Sequence, residues 1–445
     1  MSSAPSVAGR ARGSLQLIGQ RDFRLYWASL ALAVLGRSMS FGGQAWVAFE
    51  LTQSPLKVAV IGSIQFMPSL LFSLFAGTLV DRLPKRRLLT VNNVVAGSVC
   101  LGVAALLLGG RLTYEHLLVA ALILGVIQTL DWPARQAFMA DVTGPVHLAN
   151  GIAMNSATQN AARIVGPSLI AVLGGPFGMG AVFLLNGACL LTAAAVLLPI
   201  EARGLALERP RASVLAEVRE GVLYSLRAPT IFLTLSLLAA ISTFVFNFQI
   251  FVPTLVREVL GEGTATYGLL MAALGVGSLA GSLGLAVFAR GRPSLALLIG
   301  TALTVSALTA GMSATGQLLP AAVLLVAIGL MQALFQSSAL TTVQLATPPA
   351  LSGRVLSLYS LLQLGVTPIG YSFTGFVTEH LGVPSGFLVG GTLSFALCAA
   401  AIGWWSLRRA QGWRAIDPDR VPAATTVTLD AEEPLAAPGG VKQRA

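Results

Sequence analysis

Charge is scarce in this sequence. Only 10% of its 445 residues are Asp, Glu, Lys or Arg, whereas 55% are hydrophobic, and the mean hydropathy is +0.78. Soluble globular proteins carry about 25% charged residues, so the composition excludes an ordinary soluble domain. It indicates an integral membrane protein, because a transmembrane helix needs about 20 apolar residues and the chain has room for a dozen.

Cysteine and histidine are also rare, with three of each. Cys100, Cys189 and Cys398 lie in apolar runs at unrelated spacings, so neither a disulfide framework nor a metal site is indicated. Phosphate-binding loops and the common hydrolase motifs are missing as well. We therefore expect no metal, no cofactor and no enzymatic activity, and an ion gradient would have to drive any transport.

The net charge of +10 does not indicate a nucleic-acid partner, because the cations lie in turns between apolar runs and not along a helical stripe. Most of the 28 Lys and Arg residues fall on one side of the predicted membrane: before residue 25, at 82–87, across 203–227 and after 407. Loops rich in Lys and Arg stay in the cytoplasm. This predicts that both termini are cytoplasmic in the inner or plasma membrane.

Twelve apolar runs predict an all-α membrane protein of twelve transmembrane helices in two pseudo-symmetric bundles of six. The predicted spans lie near 25–50, 57–80, 88–109, 115–138, 148–173, 179–200, 230–256, 265–289, 293–313, 317–345, 352–380 and 384–407. The predicted domains are a cytoplasmic segment (1–24), two bundles (25–200 and 230–407), a cytoplasmic linker (201–229) and a disordered tail (408–445). Residues 213–226 of the linker are predicted to form an amphipathic interfacial helix.

The two predicted bundles repeat each other weakly. The sequence from Gly125 to Leu130 aligns with the sequence from Gly329 to Leu334, and the same offset places Gly166 on Gly370. Parallel repeats of this kind are typical of transporters that bind substrate near the bilayer midplane and rock one half against the other.

The turn after the second span is the most specific motif. Residues 77–87 read Gly-Thr-Leu-Val-Asp-Arg-Leu-Pro-Lys-Arg-Arg, which resembles the signature loop between the second and third helices of major facilitator superfamily transporters. That resemblance implies a gate in which Asp81 holds Arg135, at the end of helix four, and latches the outward-open state. Arg82 and Arg86 belong to the same gating loop. A static interfacial ion pair is the alternative, since exposed pairs contribute little energy.

Helix five carries a second motif, from Arg163 to Gly166 and Pro167. It is similar to the fifth-helix antiporter motif of drug exporters, although Gly174 and Gly175 come later than that motif expects. Residues 128–167 as a whole look like the branch that contains the bacterial enterobactin exporter and related macrolide efflux proteins. The resemblance implies export of a siderophore or a drug, and a Gly-Pro pair at this depth permits another helix to approach closely.

Charges at membrane depth are costly, by about 2.5 kcal/mol or more at a helix centre, so each one indicates a function or a partner. Asp131 is the candidate for proton coupling, and the alternative is that it neutralises Arg135 or a base of the 82–87 loop. Arg37 either faces a central cavity, where it would favour anionic or phenolic substrates, or packs against helix carbonyls.

Polar residues in the spans are candidates for the wall of a substrate cavity. With Arg37, the candidates are Arg163, Gln128, Asn247, Gln249, Gln332 and Gln336. The alternative for the uncharged members is hydrogen bonding between helices, which is the ordinary role of such residues.

Together these features predict a secondary transporter, expected to act as a monomer in the lipid bilayer, that exports a small amphipathic molecule in exchange for protons by alternating access. No nucleic acid is expected as a partner. Two alternatives stay open: an importer on the same fold, and a non-transporting receptor or assembly subunit.

Overall fold

A computed structural model describes residues 17–201, 214–288, 294–348 and 351–410. Apolar runs fold as helices in a membrane because every backbone N–H and C=O must find a partner inside its own segment. The first bundle contains α1 (Arg21–Thr52), α2 (Pro55–Arg82), α3 (Lys85–Leu108), and α4, α5 and α6 within the stretch Tyr114–Leu197. The second contains α7 (Pro229–Val259), α8 (Thr264–Phe288), α9 (Leu295–Gly311), α10 (Leu318–Ala346), α11 (352–381) and α12 (Val383–Ala410).

Two glycines divide the stretch Tyr114–Leu197 into three helices. Gly144 has φ 65° and Gly178 has φ 74°, values in a left-handed region that glycine adopts without strain. The helices α4, α5 and α6 therefore cover 114–143, 145–177 and 179–197. The sequence predicted a longer connection between α4 and α5, at 139–147, and this prediction of boundaries was wrong because the polar residues there continue both helices.

Among the described residues, nine helical segments are long and apolar enough to cross a membrane. One of these, Asn150–Leu197, holds both α5 and α6. The helices α1 and α11 complete the twelve predicted spans. The first of these carries Arg37 at its centre, and the second is interrupted by a π-helical turn at Leu361–Gly365.

The helix α7 is also interrupted, where the sequence predicted an unbroken run over 230–256. Its first part ends at Phe244, and a second part begins at Phe248 and passes into a π-helical turn at Leu255–Val259. The break places Phe246 and Gln249 beside a cavity between the two halves. Irregular backbone at membrane depth is tolerated where it lines such a cavity.

The two halves, 25–200 and 230–407, meet along two helix pairs. In one pair α2 packs against α11, and in the other α5 packs against α8. The end of the bundle where α2 joins α3, at 82–87, is called the basic end here, and the end where α1 joins α2 is called the opposite end. Hydrogen bonds that join the halves lie towards the opposite end: Ser54 Oγ donates to Glu379 Oε2 at 2.8 Å, and Tyr267 Oη donates to the Gly42 carbonyl at 3.0 Å.

The predicted amphipathic helix is present at Val214–Arg227 and is called the linker helix. It contacts the start of α11, where Arg354 Nη1 forms an ion pair with Glu220 Oε1 at 2.6 Å. The remainder of the linker before residue 214, the turn with Arg290 and Arg292, and most of the predicted tail lie outside the described residues. The helix α12 continues to Ala410, three residues beyond the predicted end.

Candidate functional site

Two adjoining cavities lie inside the bundle, with volumes of about 330 Å³ and 350 Å³. The first is enclosed mainly by α1, α2, α4 and α5, and the second lies between the halves, against α7, α8, α10 and α11. Their walls share five residues: Ser38, Phe41, Phe66, Arg163 and Leu364. The shared wall makes them two compartments of one central site.

An ion cluster forms one wall of the first cavity. Asp131 Oδ2 accepts hydrogen bonds from Arg37 Nη1 at 2.7 Å and from Arg135 Nε at 2.6 Å. Asp131 and Arg135 are each 4% exposed at the side chain, whereas Arg37 is 30% exposed. We call these three residues the triad. The bond from Asp131 to Arg135 is the contact expected by the alternative interpretation of Asp131, in which it neutralises Arg135, and Arg37 lines the cavity while it pairs with Asp131.

Two further hydrogen bonds hold Arg135 in the triad, whereas two polar atoms of the triad have no hydrogen-bond partner among the described residues. Arg135 Nη2 donates to Asn93 Oδ1 at 3.1 Å, and the Arg135 carbonyl accepts from Tyr26 Oη at 3.1 Å. Two of its polar atoms, Asp131 Oδ1 and Arg135 Nη1, are buried without a hydrogen-bond partner.

Arg163 lies where the two cavities meet, and it lines both. Its side chain is exposed to that space and forms neither an ion pair nor a hydrogen bond with any described residue. It shares the cavity with the triad but does not pair with Asp131. The neighbouring Gly166 lets α5 approach α1 closely, since a Cβ there would collide with Ser38.

The predicted cavity amides divide between two environments. Gln128 lines the first cavity, and Gln249, Gln332 and Gln336 line the second. Asn247 lines neither and is fully buried. Its Nδ2 donates to the Thr243 carbonyl and to Thr374 Oγ1, both at 2.8 Å. The prediction for Asn247 is therefore corrected: it stabilises the break in α7 by bonding to α11.

The proposed gate is described only in part. The side chains of Asp81 and Arg82 lie outside the described residues, so the pairing of Asp81 with Arg135 stays a prediction. Arg86 donates a hydrogen bond to the Ile200 carbonyl at the end of the first bundle. Nearby, Lys85 Nζ forms an ion pair with Asp141 Oδ2 at 3.2 Å, which ties the basic loop to the end of α4.

Comparison with known proteins decides the family. Residues 13–432 match the family model described as a transmembrane secretion effector. The chain belongs to this family. It is thus a transporter of the major facilitator type, and the predictions of fold class and of a non-enzymatic protein are confirmed.

The similar proteins include exporters and carriers of small molecules. The staphyloferrin A transporter of Staphylococcus aureus is 21% identical over 58% of this chain and 66% of its own length. The multidrug efflux pump Tap of Mycolicibacterium fortuitum is 25% identical over 79% of this chain and 88% of its own. The crystal structure of the nucleoside transporter NupG superposes with a TM-score of 0.69 at 12% identity, over 86% of this chain and 98% of that one, which supports the fold.

Several wall residues of this transporter were missed by reasoning from its sequence. In the first cavity they are Gln65, Asn93 and Gln159, and in the second they are the aromatic residues Tyr267 and Tyr371. Gln159 carried a usable signal, because it lies one helical turn after Asn155 on the same helix face, and the two bond to each other at 3.3 Å. The tyrosines gave none, since a buried tyrosine is common in any core.

Proposed function

We propose that this transporter exports a small amphipathic molecule, of the siderophore or drug type, in exchange for protons. The observation that carries the proposal is Asp131, a carboxylate on the cavity wall with one oxygen held by two arginines and the other without a partner. Intramembrane carboxylates of this kind are the usual proton carriers of transporters. The names of the similar proteins, a siderophore transporter and a drug efflux pump, support the substrate class.

The exchange of substrate for protons would follow from competition for one atom, Asp131 Oδ1. An ionised Asp131 offers Oδ1 as an acceptor to a hydroxyl or N–H group of the substrate, whereas a proton on Oδ1 converts it into a donor and weakens it as an acceptor. Binding of a substrate donor and binding of the proton therefore oppose each other at the triad. Since the proton gradient across a bacterial inner membrane drives protons inward, strict exchange drives the substrate outward.

The rocking motion is proposed to run between two gates. We assign the basic end to the cytoplasm because it carries the Lys and Arg clusters, which also places both termini there. The contacts between the halves at the opposite end, from Glu379 to Ser54 and from Tyr267 to Gly42, then close the outer gate. On this assignment the structure represents an inward-facing state, and pairing of Asp81 with Arg135 would mark the outward-facing one.

Transport by everted membrane vesicles tests the proposal. Vesicles from cells that produce the chain are given an extract of the same cells, and compounds that accumulate are identified by mass spectrometry. We expect accumulation when the vesicle interior is acidified, and its loss on addition of a protonophore. Accumulation that needs the reverse gradient would establish an importer, and accumulation indifferent to any pH gradient would reject proton coupling.

Two variants sharpen this test. Asp131→Asn should abolish the gradient-driven component, because an amide cannot take up the proton. Glu262→Gln is the matched control, since this glutamate is exposed in the connection between α7 and α8 and lines neither cavity.

A further inference from the structure

The second cavity has a composition that indicates what kind of molecule fits it. Its wall contains aromatic rings, four glutamine amides and one guanidinium group. These groups are supplied by Phe66, Phe246, Phe248, Tyr371, Gln249, Gln332, Gln336, Gln363 and Arg163. Each group is matched by a different chemical feature of a ligand.

Arg163 has no counter-charge among the described residues, which favours an anionic ligand. The walls of the two cavities carry Arg37, Arg135 and Arg163 against a single carboxylate, that of Asp131, which gives them a net charge of +2. The triad arginines already share that carboxylate, whereas Arg163 pairs with no described residue. A cation at membrane depth is stabilised by a counter-charge, and an anionic ligand would supply it.

The glutamine side chains of the second cavity have oxygens that can accept hydrogen bonds from a ligand. The side-chain oxygens of Gln249 and Gln332 are buried without a partner. No described residue forms a hydrogen bond with the side chain of Gln249, Gln332 or Gln336, so these amides do not serve as links between helices. Asn247 differs in its amide nitrogen, which is bonded twice within the protein, although its oxygen is buried without a described partner as well.

Aromatic side chains form an apolar surface beside these polar groups. Phe66 packs edge-on against Phe41, with ring centroids 5.5 Å apart, and against Tyr371, at 6.1 Å. Phe41 and Phe66 belong to both cavities, and the break in α7 brings Phe246 and Phe248 to the second. Flat rings of a ligand pack well against such a surface.

We propose that the second cavity binds an aromatic anion that carries hydroxyl or amide N–H donors. Arg163 pairs with the anionic group, the oxygens of Gln249 and Gln332 accept the donors, and the aromatic wall holds the ring. This inference deepens the proposed function and rests on it for the role of the cavity, but it needs no proton gradient.

Three matched fluorescent probes test the inference on the full chain in nanodiscs. Hydroxynaphthalenesulfonate has the anion and the donor, naphthalenesulfonate has only the anion, and naphthol has only the donor. We expect hydroxynaphthalenesulfonate to bind about tenfold more tightly than either of the others, which is the ratio that one hydrogen bond to a buried acceptor, or one ion pair with Arg163, supports. Equal affinities for all three probes would overturn the inference.

Variants assign the two preferences to their residues. Arg163→Gln should remove the preference over naphthol, and Arg163→Lys should keep most of it because the charge remains. Arg111→Gln is the control, since Arg111 is exposed between α3 and α4. Gln332→Leu should remove the preference over naphthalenesulfonate and leave the preference for the anion intact.

The outcomes separate this inference from the proposed function. If Arg163→Gln and Arg163→Lys both keep the full preference of the unmodified chain, the anion site is wrong, whatever the vesicles show. If the probe preferences follow the variants as expected but no flux responds to a pH gradient, the binding site stands and proton coupling fails.

Discussion

The two halves of this transporter face the same central space with different chemistry. Their sequence repeat places Gln128 of α4 on Gln332 of α10, and both line the site. At the same offset, Asp131 falls on Phe335 and Arg135 falls on Ala339, both fully buried. An amide therefore occupies the equivalent position in both halves, whereas the ion cluster is present in only one of them.

The register of this comparison is supported by packing. Gly125 lets α4 approach α2 at the backbone of Gln65, and Gly329 lets α10 approach α8 at the backbone of Leu274. A Cβ at either glycine would collide with a carbonyl of the facing helix. The equivalent helices of the two halves therefore pack in the same manner, and the difference lies in the side chains that face the cavity.

The difference has an energetic reason. A charge in the membrane interior costs about 2.5 kcal/mol or more, and the triad lowers that cost by letting two arginines share one carboxylate. The helices α8, α9 and α10 contain no charged residue. Proton exchange is therefore expected to depend on the first half alone, and neutral recognition of substrate on the second.

Neutralising Asp131 of the triad should have the largest effect. Asp131→Asn is expected to abolish gradient-driven flux, a decrease of at least about a hundredfold, because the proton site is lost together with a charged hydrogen bond that contributes about 1.5–3 kcal/mol. Flux by exchange of substrate for substrate, which needs no proton, should persist. Both fluxes are measured in everted vesicles beside the Glu262→Gln control. Full proton coupling in Asp131→Asn would contradict the claim that proton exchange depends on the ion cluster of the first half.

The triad is also expected to contribute to the stability of the folded protein. Removing one partner of a buried ion pair costs about 3–5 kcal/mol, so Asp131→Asn is expected to unfold at a lower temperature than the unmodified chain. The double variant with Arg37→Gln should recover part of the loss, because one uncompensated guanidinium group is removed. Thermal unfolding in detergent measures both, and an unchanged midpoint in the single variant would show that the triad contributes no net stability.

Changing the amide wall should have a smaller and different effect. Gln332→Leu is expected to weaken binding of hydroxynaphthalenesulfonate about tenfold, the value of one lost hydrogen bond to a buried acceptor. The number of protons exchanged for each substrate should stay unchanged. Gln317→Leu, at an exposed site before α10, is the control. A change in proton stoichiometry in Gln332→Leu would show that the halves do not divide their roles.

The gate at the opposite end should show the smallest effect. Glu379 Oε2 of α11 accepts from Ser54 Oγ and, at 3.2 Å, from the Leu56 backbone N–H at the start of α2. Glu379→Ala removes both bonds and should increase labelling of a cysteine placed near this end about threefold to tenfold, since an ordinary hydrogen bond contributes about 0.5–1.5 kcal/mol. Glu262→Ala, at the same end, is the control. Equal labelling in both variants would exclude Glu379 from the gate.

Much of the fold could be predicted from hydropathy, because the cost of unpaired backbone groups in lipid leaves few alternatives to spanning helices. The bond from Asp131 to Arg135 could be predicted too, since residues four apart share a helix face. The bond from Arg37 to Asp131 could not, because it joins residues 94 apart whose contact depends on how α1 packs against α4.

The amide side chains of α7 also show what could not be predicted from the sequence. Asn247 and Gln249 differ by two positions in a run that is typical of one helix, so reasoning from the sequence assigned both to the cavity wall. The break after Phe244 turns Asn247 into the protein and leaves Gln249 at the cavity. Pro253 is a local signal of an irregular helix, but the orientation of Asn247 depends on its bond to Thr374 of a distant helix, which the local sequence does not show.

Proton release on ligand binding tests the central claim most directly. Calorimetric titration of a compound that the everted vesicles accumulate into the full chain, in two buffers of different ionisation enthalpy, gives the number of protons released for each ligand bound. If proton and substrate compete for Asp131 Oδ1, the unmodified chain releases protons on binding below neutral pH, and Asp131→Asn releases none while it still binds. Equal proton release from both proteins would contradict the account.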